Sequence, residues 1–228
     1  MRVANLLPRG RIRAVLFDLD GTLVDSAPDL AAAANRMRER RGLPALPFDL
    51  FRPHASSGAR GMLRIALDVD PSHEGYEPLR LEFLDEYESG LLNLTVPFEG
   101  VDRMLAALDG ASMAWGIVTN KAERFTHPLV AGTPVLAGAR AVVGGDTTPH
   151  AKPHPAPLLE AARRLGIEPE ACLYVGDDER DIVAGRAAGM LTVAARYGYL
   201  GQGVSVEQWQ ADACIDFPLD LLKLLDMP

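Results

Sequence analysis

The chain has 228 residues, enough for one large core or for a core with a smaller satellite. Its hydrophobic content of 48% and charged content of 24% are those of an ordinary soluble globular protein, which excludes disorder as the default. The formal net charge of −8 argues against nucleic acid or anionic lipid as partners, since both need a basic face. An anionic substrate would likewise need a local positive site.

Residues 1–10 carry Arg2 and Arg9 but no long apolar run, so no signal peptide is expected. No stretch reaches the roughly 20 apolar residues of a membrane span. The two cysteines, Cys172 and Cys214, have no Cys or His at metal spacing and are expected to be buried free thiols, which fits a reducing cytoplasm. Residues 12–17 form an apolar run that reads as a buried parallel strand. Helical patterns follow at 29–41, 58–67 and 77–91, with no convincing strand between Asp25 and Leu94. After Pro97-Phe98-Glu99-Gly100 the pattern changes. Strand candidates at 114–118, 141–143, 172–175 and 191–195 alternate with helical segments at 101–108, 122–130, 156–165 and 182–188. That alternation predicts an α/β fold, a Rossmann-like doubly wound and mainly parallel sheet. The layout divides into a catalytic core, residues 1–24 and 96–228, and an all-helical cap, residues 25–95, inserted after the first strand. An insert at that point sits where a binding crevice opens, and is placed to act as a lid.

The first strand runs into Asp18-Leu19-Asp20-Gly21-Thr22. Carboxylates two residues apart share a face where a strand persists. Asp-Gly is also a common turn, and a lone Asp can simply cap one. The chemical alternative is a division of labour. One carboxylate attacks phosphorus to form an acyl phosphate, and the other protonates the leaving oxygen and then deprotonates water. Gly21 would let backbone amides approach phosphoryl oxygens. A second acidic loop, Gly176-Asp177-Asp178-Glu179-Arg180-Asp181, follows another apolar run. Each carboxylate pair at about 4 Å costs on the order of 4 kcal/mol at an effective dielectric near 20. A divalent cation removes that cost, and an all-oxygen site favours Mg²⁺. Helix capping by Asp177 or Asp178 is the competing reading. Thr119 ends a strand, where its hydroxyl could donate to a phosphoryl oxygen or merely close a turn. Lys152 precedes Pro153-His154-Pro155 and could neutralise phosphate and Asp18 together, or lie in solvent. His154 reads as structural.

These four pieces, in this order, resemble the haloacid dehalogenase superfamily. Its phosphatases carry Asp-x-Asp-x-Thr, then Ser/Thr after a strand, then Lys, then Gly-Asp-x-x-x-Asp. The resemblance spans nearly the whole chain and implies a Rossmann-like core with a helical cap. It implies Asp18 as nucleophile and metal ligand, Asp20 as acid/base with its carbonyl on the metal, and Thr119 and Lys152 as phosphate binders. It also implies Asp177 as a Mg²⁺ ligand, Asp181 as a residue that orients the ligands, and Gly21 and Asn120 near the phosphate. The dehalogenases of the superfamily lack an acid at the position of Asp20, so its presence points to phosphoryl transfer. More narrowly, Ser57-Gly58-Ala59-Arg60-Gly61, the segment 115–121 and Arg196-Tyr197-Gly198-Tyr199 resemble phosphoglycolate phosphatases and N-acetylmuramic acid 6-phosphate phosphatases. The segment Ala131-Gly132-Thr133-Pro134 departs from them, where a helix usually runs on into a Leu-Gly-Leu turn.

The expected activity is therefore Mg²⁺-dependent hydrolysis of a small anionic phosphate ester, with a phosphosugar mutase of the same superfamily as the alternative. The expected assembly is a monomer or a homodimer. Specificity is expected in the insert, where Ser57, Gly58 and Arg60 join two helices. Arg60 could pair with a substrate carboxylate, or Ser56 or Ser57 could cap a helix and leave Arg60 in solvent.

Overall fold

The first apolar run becomes β1 (Ala14–Phe17), buried along its whole length, and the chain turns at once into β2 (Val24–Asp25). Four helices follow: α1 (Ala27–Arg40), α2 (Phe48–Phe51), α3 (Gly58–Leu67) and α4 (Tyr76–Ser89), with a 3-10 turn at Arg52–Ser57. Next come β3 (Val96–Pro97), α5 (Val101–Gly110), β4 (Ala114–Val118), α6 (Glu123–Gly132) and β5 (Val142–Val143). The chain continues with α7 (Ala156–Leu165), β6 (Cys172–Gly176), α8 (Glu179–Ala187), β7 (Leu191–Ala195), β8 (Ala213–Ile215) and α9 (Asp220–Leu224). This computed structural model describes residues 12–201 and 203–227; the stretch 1–10, read above as free of a signal peptide, lies outside them.

Six strands form one parallel sheet in the order β5-β4-β1-β6-β7-β8. The period of two along each strand splits the core into two layers. Val15, Phe17, Trp115, Ile117, Leu173 and Val175 face α5 and α9. Ala14, Leu16, Val118 and Tyr174 face α7 and α8. Because both faces are covered, the strands are apolar throughout rather than alternating. The chain winds from β1 through β4 to β5 on one side, then returns past β1 to β6. That reversal places the carboxyl ends of β1, β4 and β6 side by side at a topological switch point.

The insert packs on itself. Ala33, Ala34 and Met37 of α1 meet Phe51, Met62, Leu63, Phe83 and Tyr87, and only Phe125 and Tyr199 join this cluster as buried residues from elsewhere. Its two ends meet as an antiparallel ribbon, Val24 with Pro97 and Asp25 with Val96.

Several elements differ from expectation. The first strand starts at Ala14, and α1 runs from Ala27 rather than 29 because Pro28 suits its first turn. α6 reaches Gly132, into the segment where the resemblance departs, and is followed by a 3-10 turn at Pro134–Leu136. The ribbon strands, β8, α2 and α9 were not anticipated. Cys172 is buried, but Cys214, in β8 at the edge of the sheet, is only half-buried; both are free thiols. Among the described residues no helix is long and apolar enough to cross a membrane.

Candidate active site

Asp18 lies one residue beyond β1, Thr119 one beyond β4, and Asp177 one beyond β6, so the three converge where the strands end. Lys152 reaches the same point from the loop before α7. Its ammonium, buried like the rest of the residue, lies 2.9 Å from Asp18 Oδ1 and 2.7 Å from Asp181 Oδ1. It also donates to the Val118 carbonyl at 3.0 Å and to the Tyr174 hydroxyl at 2.8 Å. Burial opposes this charge, but Asp18 and Asp181 outweigh it and raise the lysine's pKa.

Carboxylate oxygens of Asp18, Asp177 and Asp181 lie within 4.8 Å of one another. Burial raises the Asp18 pKa to about 7, against the pull of Lys152 and with a further push from Asp181. Burial, then the charges of Asp18 and Asp181, hold Asp177 well above the carboxylate range. Such a cluster of protein oxygens asks for a cation. The hydrogen bonds distinguish the members. Asp181 accepts from Lys152 and Tyr174 on one oxygen and from the Asp178 N–H on the other, so both are engaged. Asp177 is oriented by the Thr22 hydroxyl at 3.0 Å and the Tyr199 N–H at 2.8 Å. Asp18 Oδ1 is buried, and its one described partner is the Lys152 ammonium at 2.9 Å. A hard divalent cation fits this cluster of carboxylates, of which Asp177 and Asp181 are each hydrogen-bonded on both oxygens and Asp18 meets Lys152 alone.

The capping reading of the second acidic loop holds for Asp178 and not for Asp177. Asp178 is the N-cap of α8, accepting from the Arg180 N–H, while Asp181 completes a capping box. Asp177 is then left to face the cluster.

Asp20 is fastened through one oxygen. Oδ1 accepts a short hydrogen bond from the Ser26 hydroxyl and pairs with Lys121 Nζ at 3.1 Å. Thr119 is buried, lines the cavity, and its hydroxyl accepts from the Lys121 N–H at 3.1 Å. Asn120 exchanges two hydrogen bonds of 2.9 Å with the Lys152 backbone, so its carboxamide sets the position of that loop. Gly21 does not line the cavity: its N–H donates to the Val24 carbonyl. Its need for glycine is steric, because at φ +87° a Cβ would lie 2.1 Å from Asp177 Oδ2.

A cavity of about 590 Å³ opens above these groups, roofed by the insert. Ser57, Gly58 and Arg60 line it, together with Arg80 and Arg124. Ser57 stands at the N-cap of α3 but its side chain makes no capping hydrogen bond, and Arg60, exposed at the cavity lining, has no carboxylate partner among the described residues. Sequence reasoning offered Ser56 only as a candidate helix cap, and missed three further groups. Ser56 Oγ lines the cavity, buried and without a hydrogen bond. Arg180, clamped to Asp178, donates to the Ser56 carbonyl at 2.7 Å and so ties the second acidic loop to the insert. Tyr87 and Tyr199 approach from distant parts of the chain; Tyr199 stands in a segment that carries the resemblance, but without a role, and Tyr87 stands in no local pattern.

The model of the haloacid dehalogenase-like hydrolases matches residues 15–195. The chain belongs to this family. Among haloacid dehalogenase-like relatives, an N-acetylmuramic acid 6-phosphate phosphatase from Pseudomonas putida is 42% identical over 216 residues, 95% of this chain and 97% of that one. A phosphoglycolate phosphatase from Xanthomonas campestris pv. campestris is 46% identical over 210 residues, 92% of this chain and 94% of that one. A crystal structure of a predicted phosphoglycolate phosphatase from Haemophilus somnus superposes with a TM-score of 0.83 at 28% identity, covering 95% of this chain and 99% of the other. As a haloacid dehalogenase-like hydrolase with such relatives, the chain is a phosphoric monoester hydrolase.

Proposed function

We propose that the chain is a Mg²⁺-dependent phosphatase in which residues 25–95 cap a core of 1–24 and 96–228 and Asp18 is the nucleophile. The observation that carries this reading is the cluster of Asp18, Asp177 and Asp181 on the floor of the cavity, with the Lys152 ammonium 2.9 Å from Asp18. A carboxylate oxygen of Asp18 attacks phosphorus. The P–O bond to the substrate alcohol breaks, and Asp20 delivers a proton to the departing oxygen. Asp20, now a carboxylate, takes a proton from water, whose oxygen attacks the aspartyl phosphate; inorganic phosphate leaves and Asp18 is restored. Lys152 and Thr119 offer donors to the phosphoryl oxygens throughout. Asp18, the Asp20 carbonyl and Asp177 would hold Mg²⁺, which when bound offsets the clustered negative charge and draws charge from the phosphoryl oxygens.

The substrate in this reading is a small anionic phosphate ester, 2-phosphoglycolate or a sugar phosphate such as N-acetylmuramic acid 6-phosphate. Arg60, without a carboxylate of its own, is suited to read the substrate's second anion.

A phosphate-release screen over 2-phosphoglycolate, N-acetylmuramic acid 6-phosphate, hexose phosphates and nucleotides tests the whole reading. Asp18→Asn abolishes release from every substrate, and EDTA does so reversibly. Isomerised sugar phosphate without inorganic phosphate would show a mutase instead. Arg60→Ala raises KM for the preferred substrate and spares p-nitrophenyl phosphate; equal loss on both refutes its role.

A further inference from the structure

Lys121 is a second buried cation in the site, and the mechanism above makes no use of it. It lies two residues beyond Thr119, and its side chain is 8% exposed. Its ammonium lies 3.1 Å from Asp20 Oδ1, donates to the Tyr87 hydroxyl at 2.7 Å, and sits 4.6 Å from the centroid of the Tyr87 ring. Tyr87 belongs to α4 of the insert and is itself buried, stacked on Phe83 and edge-on to Phe125. One lysine therefore joins the carboxylate that moves protons to the element that roofs the cavity.

The arrangement divides the two Asp20 oxygens. Oδ1 receives both Ser26 and Lys121, from the side of α1 and from the loop after β4. No described group donates to Oδ2, and Asp20 lines the cavity. A carboxylate gripped by one oxygen from two directions has its rotation about Cβ–Cγ fixed, and presents the other oxygen to a reacting partner. Lysine suits this task because it gives one hydrogen to the phenol and faces the carboxylate with another. A site misplacement of about 1 Å is enough to cost roughly 10²-fold in rate, so such a grip has kinetic weight.

We infer that Lys121 is a positioning residue that orients Asp20 for proton transfer and is itself set by Tyr87 of the insert. The inference rests on the assignment of Asp20 as the acid/base, so the experiment carries Asp20→Ala beside the lysine variants. Proton delivery matters most where the departing alcohol is a poor leaving group. Glycerol 2-phosphate needs the proton, and p-nitrophenyl phosphate needs it far less. Lys121→Met lowers kcat on glycerol 2-phosphate by about 10- to 100-fold and on p-nitrophenyl phosphate by less than about 5-fold, within the range acid–base groups supply. Lys121→Arg recovers part of the loss, and Tyr87→Phe shows the same split at smaller amplitude. Binding of inorganic phosphate, measured by calorimetry, stays unchanged in Lys121→Met.

If Asp20→Ala shows the leaving-group split and Lys121→Met loses both activities equally, the positioning role is wrong. Weakened phosphate binding in Lys121→Met would also overturn it, making the residue a phosphate binder. If Asp20→Ala itself shows no split, the acid/base assignment fails first. Lys121→Arg keeps the charge in the fold and supplies the comparison should Lys121→Met not fold.

Discussion

The Lys152 ammonium serves two buried acids at once, Asp18 and Asp181, and the side chains of this group are at most 13% exposed. Removing one partner of a buried ion pair leaves uncompensated charge, which costs about 3–5 kcal/mol. Lys152→Met should therefore lower stability by that order, and lose activity as well. Adding Asp181→Asn to the same chain removes one of the stranded charges and should restore part of the stability but none of the activity. Denaturant midpoints of the two variants check this; equal midpoints would mean that the pair is not coupled through Lys152. The lysine itself was legible in the sequence, since it precedes a Pro-x-Pro segment in a chain of net negative charge. Its Tyr174 partner was not. That tyrosine sits inside an apolar strand and reads as core, and only the fold brings its hydroxyl to the acids.

At the scale of elements, Asp177 is held between two turns. A Cβ on Gly21 would lie 2.1 Å from its Oδ2, and one on Gly198 would lie 2.3 Å from its Cβ. Gly21 also has φ +87°, where a side chain adds about 1–2 kcal/mol of strain. Either glycine changed to alanine should push Asp177 aside and weaken Mg²⁺ binding by about 10- to 100-fold, the usual effect of disturbing a ligand's support. Calorimetric titration of Mg²⁺ into Gly198→Ala is the cleaner test, and unchanged affinity would count against the site. Strand ends and acidic loops were legible here as an apolar run meeting glycine and acids, though turn and cap readings competed until the four motifs were taken together. The two-residue strands β2 and β3 were not, since two residues carry no period. β8 hid because Ala213-Cys214-Ile215 is too short to stand out between acidic residues. Tyr199 could not be foreseen either. Its hydroxyl meets the N–H groups of Ser26 and Ala27 across more than 170 residues of sequence, a contact made only by closing the whole sheet.

At the scale of the whole molecule, the acid cluster makes stability depend on pH and on metal together. The Asp18 pKa stands at about 7 against an ordinary 3.8, and Asp177 is raised in the same direction. Between about pH 4 and pH 7 the folded, metal-free chain thus keeps protons that the unfolded chain has released, so stability falls as pH rises through that window. In EDTA the melting temperature should drop from pH 5 to pH 7.5, and Asp18→Asn should flatten part of that drop. Saturating Mg²⁺ should raise the melting temperature at pH 7.5 and do so less at pH 5, because cation and protons compete for the same oxygens. A metal increment independent of pH would exclude these acids as its ligands. The ribbon of Val24–Asp25 with Val96–Pro97 has a different consequence. The polypeptide leaves the sheet and comes back to it through adjacent backbone positions, so the intervening helices close a loop whose ends already touch. Lengthening or replacing such a loop costs little closure entropy elsewhere. Asp25 and Val96 are therefore natural splice points for exchanging one contiguous stretch of gene, so long as Ser26 and Tyr87, which reach Asp20 and Lys121 from inside it, are kept.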